Sequence, residues 1–280
     1  MTSSIQDKPD TAAVFTSRFV SWHQNVPDLL EKSGLGKRIA GYKKVIIKPN
    51  LVEILAPPIT TPVELAEQIV LYLLEYIDRE RIVIGEGCGA VSHDTYCAFR
   101  ELGYFALGEK LNIRLLDLNT AKLRRLHNPS LTRWPEMYLP KILDNAFLLS
   151  VPQLKAHSLA GVTLTMKNMM GCAPPAHYKG CGAWNKATFH TGIHEAIYEL
   201  NRYRTPDFTL LDASIGMAKA HLWGPQCTPP VRTIAASFDP VAIDSYGTSL
   251  LGRNWRDIGH IVMANGVLGK AEDYRLEYIN

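Results

Sequence analysis

Short apolar runs alternating with amphipathic stretches point to an α/β fold: a mostly parallel, twisted sheet with helices on both faces and an inserted excursion around residues 119–141. Three observations carry that expectation. Residues 44–47 (KVII), 81–85 (RIVIG) and 146–151 (AFLLSV) are almost wholly apolar, as strands buried on both faces are. Between the first two, Leu65, Ile69, Leu73 and Ile77 recur at helical spacing. Each run also ends in turn chemistry: Lys48-Pro49-Asn50, Glu86-Gly87-Cys88-Gly89 and Val151-Pro152.

Taken in order, residues 1–43 read as an N-terminal arm and helix, and residues 44–280 as a single domain. The first twenty residues are polar and expected to be irregular. A helix over 26–39 is broken at Gly34-Leu35-Gly36, and this GLGK lacks the spacing of a phosphate-binding Walker loop. Thr61, Pro62 and Glu64 match a capping box with proline in the first turn. Ser92 or Asp94 caps the next helix, and a third strand over 112–116 ends at Asp117. The glycine-rich turn at 87–89 does not open directly on a helix, so it reads as a tight βα turn rather than a dinucleotide fingerprint. Farther on, residues 188–203 read as one helix. A strand over 208–211 ends in Asp212, a turn-rich loop spans 216–230, and a strand covers 231–236. Asp239-Pro240 then opens a helix as N-cap and first-turn proline, and a last helix covers 255–264.

Composition narrows the function classes. The 280 residues carry a formal charge of +3, with 46% apolar and 20% charged residues, the balance of a soluble globular chain. No basic stripe marks a nucleic-acid partner, and no apolar run reaches the length of a membrane span. Five cysteines at irregular spacing, with no CxxC, suit a reduced cytoplasmic chain.

The chemistry concentrates where strands end. Lys48, Asn50, Glu86, Lys155, His157, Lys167, Asn168, Asp212 and Asp239 all fall at or just beyond expected strand ends or in the segment after 151. In open parallel sheets that edge is where ligands bind. Cations there suit an anionic small molecule, carboxamides orient it, and imidazoles move protons near neutral pH. Lys155, His157, Lys167 and His190 are therefore candidate catalytic residues, with Lys48, Asn50, Asn168 and Glu86 as candidate substrate contacts. A second set has the elements of a metal site. His190 and His194 are one helical turn apart, Asp212 and Asp244 add carboxylates, and Cys172 and Cys181 flank a glycine- and proline-rich loop.

Several of these motifs are shared with a family. Lys48-Pro49-Asn50-Leu51, Pro152-Gln153-Leu154-Lys155-Ala156-His157, Lys167-Asn168 with Gly171, His190, Pro206-Asp207, Gly224-Pro225 and 237–244 (SFDPVAID) together resemble the DUF362 family, from about residue 44 onward. The resemblance implies no assigned activity. Relatives fused to ferredoxin modules hint at redox metabolism, but this chain has no CxxCxxC run. Where the family tends to carry a glycine-rich turn near Gly216, this chain has Lys219-Ala220-His221, so its pocket is expected to differ.

Two functions follow. One is an enzyme that binds a small phosphate- or carboxylate-bearing substrate in a crevice lined by lysine, histidine and aspartate; a binding module without turnover shares that signature. The other is a redox protein holding a divalent metal or an iron–sulfur cluster through Cys172, Cys181, His190 and His194.

Overall fold

The computed structural model describes residues 12–279 of the chain. Their strands, in chain order, are β1 (Ala13–Arg18), β2 (Val45–Lys48), β3 (Ile82–Glu86), β4 (Arg114–Asp117), β5 (Leu123–His127), β6 (Glu136–Pro140), β7 (Phe147–Ser150), β8 (Gln153–His157), β9 (Gly161–Thr163), β10 (Phe208–Met217), β11 (Thr233–Ser237) and β12 (Arg275–Ile279). Ten of them form one sheet in the order β12-β1-β11-β10-β7-β2-β3-β4, with β8 branching from β10 and β9 pairing with β8. The stretch from β4 to β10 is parallel throughout, and β11 runs antiparallel to both its neighbours. The excursion at 119–141 is the β5–β6 hairpin, a separate two-stranded sheet.

Helices cover both faces. On one lie α1 (Trp22–Lys32), α2 (Leu35–Ile39), α3 (Val63–Leu74), α4 (Thr95–Glu101) and α5 (Tyr104–Leu111). Associated with the other are α6 (Thr165–Asn168), α7 (Pro175–Tyr178), α8 (Ile193–Tyr203), α9 (Pro240–Leu250) and α10 (Gly259–Ala264). The strand pleat sorts the core between them. Val45, Ile47 and Leu149 face the first layer, while Ile46 and Leu148 face the second. Each such side chain, fully buried, contributes about 1.5–3 kcal/mol relative to exposure. None of the described helices is long and apolar enough to cross a membrane.

The topology fixes where a ligand can enter. The chain lays β2, β3 and β4 outward in one direction, then returns to place β7 on the other side of β2. The connections after β2 and β7 therefore part company at the carboxyl ends of these strands, which opens a crevice there.

Local expectations differ from the structure at several points, each for a physical reason. The first eleven residues lie outside the described residues, but Ala13–Arg18, expected to be irregular, joins the sheet between β11 and β12. Thr61 does not cap α3; its hydroxyl donates to Val151 O and accepts from Asn50 N, stitching two strand-end loops together. The helix expected over 188–203 begins only at Ile193, because Gly192 adopts a left-handed conformation (φ 54°) that ends the preceding 3₁₀ turn. The strand expected over 208–211 continues to Met217, so Asp212 sits within it rather than at its end.

Candidate functional site

Pro49 ends β2 as its fixed ring requires, and Lys48 is left as the strand's last residue. Its fully buried ammonium donates to Glu86 Oε1 (2.8 Å) at the end of β3, to Asn168 Oδ1 (3.0 Å) and to Pro49 O (3.1 Å). All three of its hydrogens are used. Glu86 is equally committed, since Gly87 N donates to its Oε1 and Leu51 N to its Oε2. A side chain at Gly171 would collide with both Glu86 Oε1 and Lys48 Nζ, so the pair can form only beneath a glycine.

Lys155 and His157 lie on β8 rather than in a loop, and as alternate residues they share one face. Lys155 Nζ is also fully buried, but its partners are neutral: Asn50 Oδ1 at 2.6 Å and Ile59 O at 2.8 Å. Burial, reinforced by the nearby Lys167, drives its pKa well below the ordinary lysine value. Leu159 N and Ala160 N donate to His157 Nδ1 at 3.0 and 3.1 Å. That fixes the tautomer with its proton on Nε2, and Nε2 is buried without a partner. Burial and Lys167 together depress the His157 pKa.

Lys167 sits on α6, a single turn held in place by Asp244. The buried Asp244 carboxylate accepts from Thr165 N (2.8 Å) and Met166 N (3.0 Å), and burial raises its pKa to about 7. Asn168, next on the turn, receives both Lys48 Nζ and Asn50 Nδ2 on its Oδ1 and donates to Ser150 Oγ at 3.0 Å. Lys167 as a residue is half-buried, and its amine has no hydrogen-bond or ion-pair partner among the described residues. Burial brings its pKa down to about 8.

These groups line one cavity of about 410 Å³. The candidate His190 completes it, together with residues that were not offered as site residues from the sequence. Lys186, 5% exposed, donates to Asn119 Oδ1 (2.5 Å) and Ala173 O, and burial lowers its pKa to about 8. His221 stacks on His157 with ring centroids 4.1 Å apart, and burial lowers its pKa to about 3. His190 lies 6.5 Å from His157, its pKa depressed by burial and by Lys167. Trp184 and the exposed Trp223, with centroids 6.5 Å apart, line the apolar part of the cavity together with exposed Leu159. Thr163 Oγ1 is a second buried polar atom of the lining without a partner. No pattern marks Lys186 or the tryptophans in the sequence, because they arrive from loops whose course is set by tertiary packing.

The residues proposed as metal ligands do not gather. His190 faces the cavity, while His194 packs against His260, ring nitrogens 3.1 Å apart. Asp212 accepts from Ser214 N within β10, and Asp244 caps α6. Cys172 is buried in the core, its thiol pushed up to about 11 by burial, whereas Cys181 is exposed. Among the described residues no three histidine, cysteine, aspartate or glutamate side chains come together in a metal-holding group.

Comparisons with known proteins place the chain in sequence and structure space. A family model described as "Domain of unknown function (DUF362)" matches residues 45–249. No curated protein matches. Among solved structures, the chain is similar to "Structure of the lactate racemase apoprotein from Thermoanaerobacterium thermosaccharolyticum" at 14% identity and a TM-score of 0.46. That similarity covers 85% of this chain and 58% of the other, so the chain spans little more than half the length of that protein.

Proposed function

We propose, for this chain, which belongs to the DUF362 family, that it is an enzyme acting on a small substrate with a carboxylate or phosphate group. The observation that carries this reading is a charge imbalance: four lysines and one carboxylate line a single cavity, and that carboxylate is spent on Lys48. Lys155, Lys167 and Lys186 have no ion-pair partner among the described residues. Burying amines in this state is costly unless an anion arrives to share the site. Two orphaned polar atoms in the same lining, His157 Nε2 and Thr163 Oγ1, support the reading, since such atoms ordinarily have a partner.

The roles follow from the contacts. Asn50 aims Lys155, and Asn168 aims Lys48 and Asn50. The lysines supply charge for the anionic group, and His157 Nε2–H donates to a substrate oxygen. His190 lines the same cavity and is placed to accept a proton, while His221, its pKa lowered to about 3, stacks on His157 and stays neutral. Nothing in the placement of Cys172, Cys181, His190 and His194 favours a metal or cluster over this reading.

Calorimetric titration with oxalate and with inorganic phosphate at pH 7 tests it. Oxalate or phosphate is expected to bind. Lys167→Met should weaken that binding about 10- to 100-fold, the worth of one charge-assisted hydrogen bond, with little change in melting temperature because the amine has no internal partner to lose. Lys155→Met should weaken it similarly and also lower stability, because Asn50 Oδ1 and Ile59 O lose their donor. A folded wild-type protein that binds neither anion would overturn the proposal.

A further inference from the structure

The four cavity lysines are not equivalent. Lys48 has all three hydrogens occupied and a carboxylate at 2.8 Å. Lys155 gives two hydrogens to Asn50 Oδ1 and Ile59 O and Lys186 gives two to Asn119 Oδ1 and Ala173 O, so each keeps one for a ligand in the cavity. Lys167 alone among them is half-buried as a residue, with an amine that has no partner among the described residues. Its backbone, by contrast, is fixed, because Asp244 grips the first turn of α6 through two backbone N–H groups. An immobile backbone carrying an unengaged amine into a cavity is unusual for a group whose only task is to hold charge. A carboxylate-binding lysine could be tied as Lys186 is.

We infer that Lys167 is a covalent catalyst that forms a Schiff base with the carbonyl carbon of a 2-oxo acid. The inference rests on the anion-binding reading above: the carboxylate is met by Lys155 and Lys186, which leaves the adjacent carbonyl to Lys167. His190 removes one proton from the Lys167 ammonium, and the freed lone pair bonds to the carbonyl carbon while the π pair moves to oxygen. His157 Nε2–H donates a hydrogen bond to that oxygen without giving up its proton. A second nitrogen-bound proton then passes to the oxygen, forming the carbinolamine. The proton held by His190 is delivered to the same oxygen, the C–O bond breaks, and water leaves. The protonated imine remains, with one hydrogen on nitrogen. No oxidant or reductant is consumed.

The environment suits these steps. An amine whose pKa is lowered to about 8 is about a quarter uncharged at pH 7.5, roughly two orders of magnitude more than an ordinary surface lysine. Trp184 and Leu222 in the lining, with the bulk of its surface apolar, limit the water that would hydrolyse the imine.

Borohydride trapping reads the imine directly. The intact protein is incubated at pH 7.5 with millimolar pyruvate and sodium cyanoborohydride, digested, and each lysine peptide is quantified by mass spectrometry. A carboxyethyl adduct on Lys167, at least about tenfold above any surface lysine and absent from Lys167→Met, is expected. Oxalate should compete it away. If oxalate binds but no adduct forms, or the adduct sits on Lys155 or Lys186, the covalent role is wrong and the anion site survives. If neither oxalate nor pyruvate engages the protein, both readings fall.

Discussion

Lys48 and Lys155 are buried to the same extent, yet they meet that burial in opposite ways. Lys48 keeps a carboxylate in contact, and Lys155 has only neutral oxygens. The first is therefore a structural ion pair and the second an amine waiting for charge. Glu86→Gln separates the two cases. Removing one member of a buried pair leaves the other uncompensated, so urea unfolding should show a loss of about 3–5 kcal/mol. Combining Glu86→Gln with Lys48→Met should restore part of that loss. A Glu86→Gln protein as stable as wild type would show that the Lys48–Glu86 pair contributes nothing to the fold. Both residues could be picked from the sequence because strand-ending prolines and glycines mark the sheet edge. Their pairing could not, since 38 positions separate them and only the register of β2 on β3 brings them together.

Among the elements, α6 depends most on what lies outside it. It is one turn long, too short to persist by its own hydrogen bonds. Asp244 on α9 supplies what the turn lacks, two acceptors for its first N–H groups. Asp244→Asn replaces one acceptor with an NH₂ that faces a backbone donor. The expected cost is about 1–3 kcal/mol in stability, together with weaker oxalate binding because Lys167 and Asn168 ride on the turn. Unchanged oxalate affinity in a destabilised Asp244→Asn protein would mean that α6 does not position the site. The sequence offered Asp244 as a possible metal ligand. Its carboxylate type and its place on the helix after Asp239-Pro240 were legible, but not that its target would be a backbone 79 residues away. The pairing of His190 with His194 failed for a related reason. A 3.6-residue period presumes an unbroken helix, and Gly192 breaks it. β8 gives the converse case, where Pro152 suggested a loop but the chain resumed as a strand beside β10.

For the whole molecule, the layered α/β sheet was legible because buried strands and amphipathic helices leave distinct apolar periods. The crevice at the strand ends followed from that architecture. What periodicity could not supply was the loop-borne half of the cavity, Trp184, Lys186, His221 and Trp223, since loops carry no period and are placed only by packing. The assembled site has a thermodynamic signature. In the free protein Lys167 and Lys186 are lowered to about 8, and Lys155 lies well below the ordinary value of 10.5. An anion beside these amines favours their charged forms and moves each pKa back up. Between about pH 8 and the ordinary lysine value the free amines are neutral and the occupied ones charged, so binding must take up protons there, and affinity must fall as pH rises. Oxalate titrations at pH 8.5 in two buffers of different ionisation enthalpy measure this uptake directly. Uptake of about one proton or more per oxalate is expected, with affinity declining steadily from pH 8 to 10. Binding with no proton uptake, at an affinity independent of pH over that range, would contradict it.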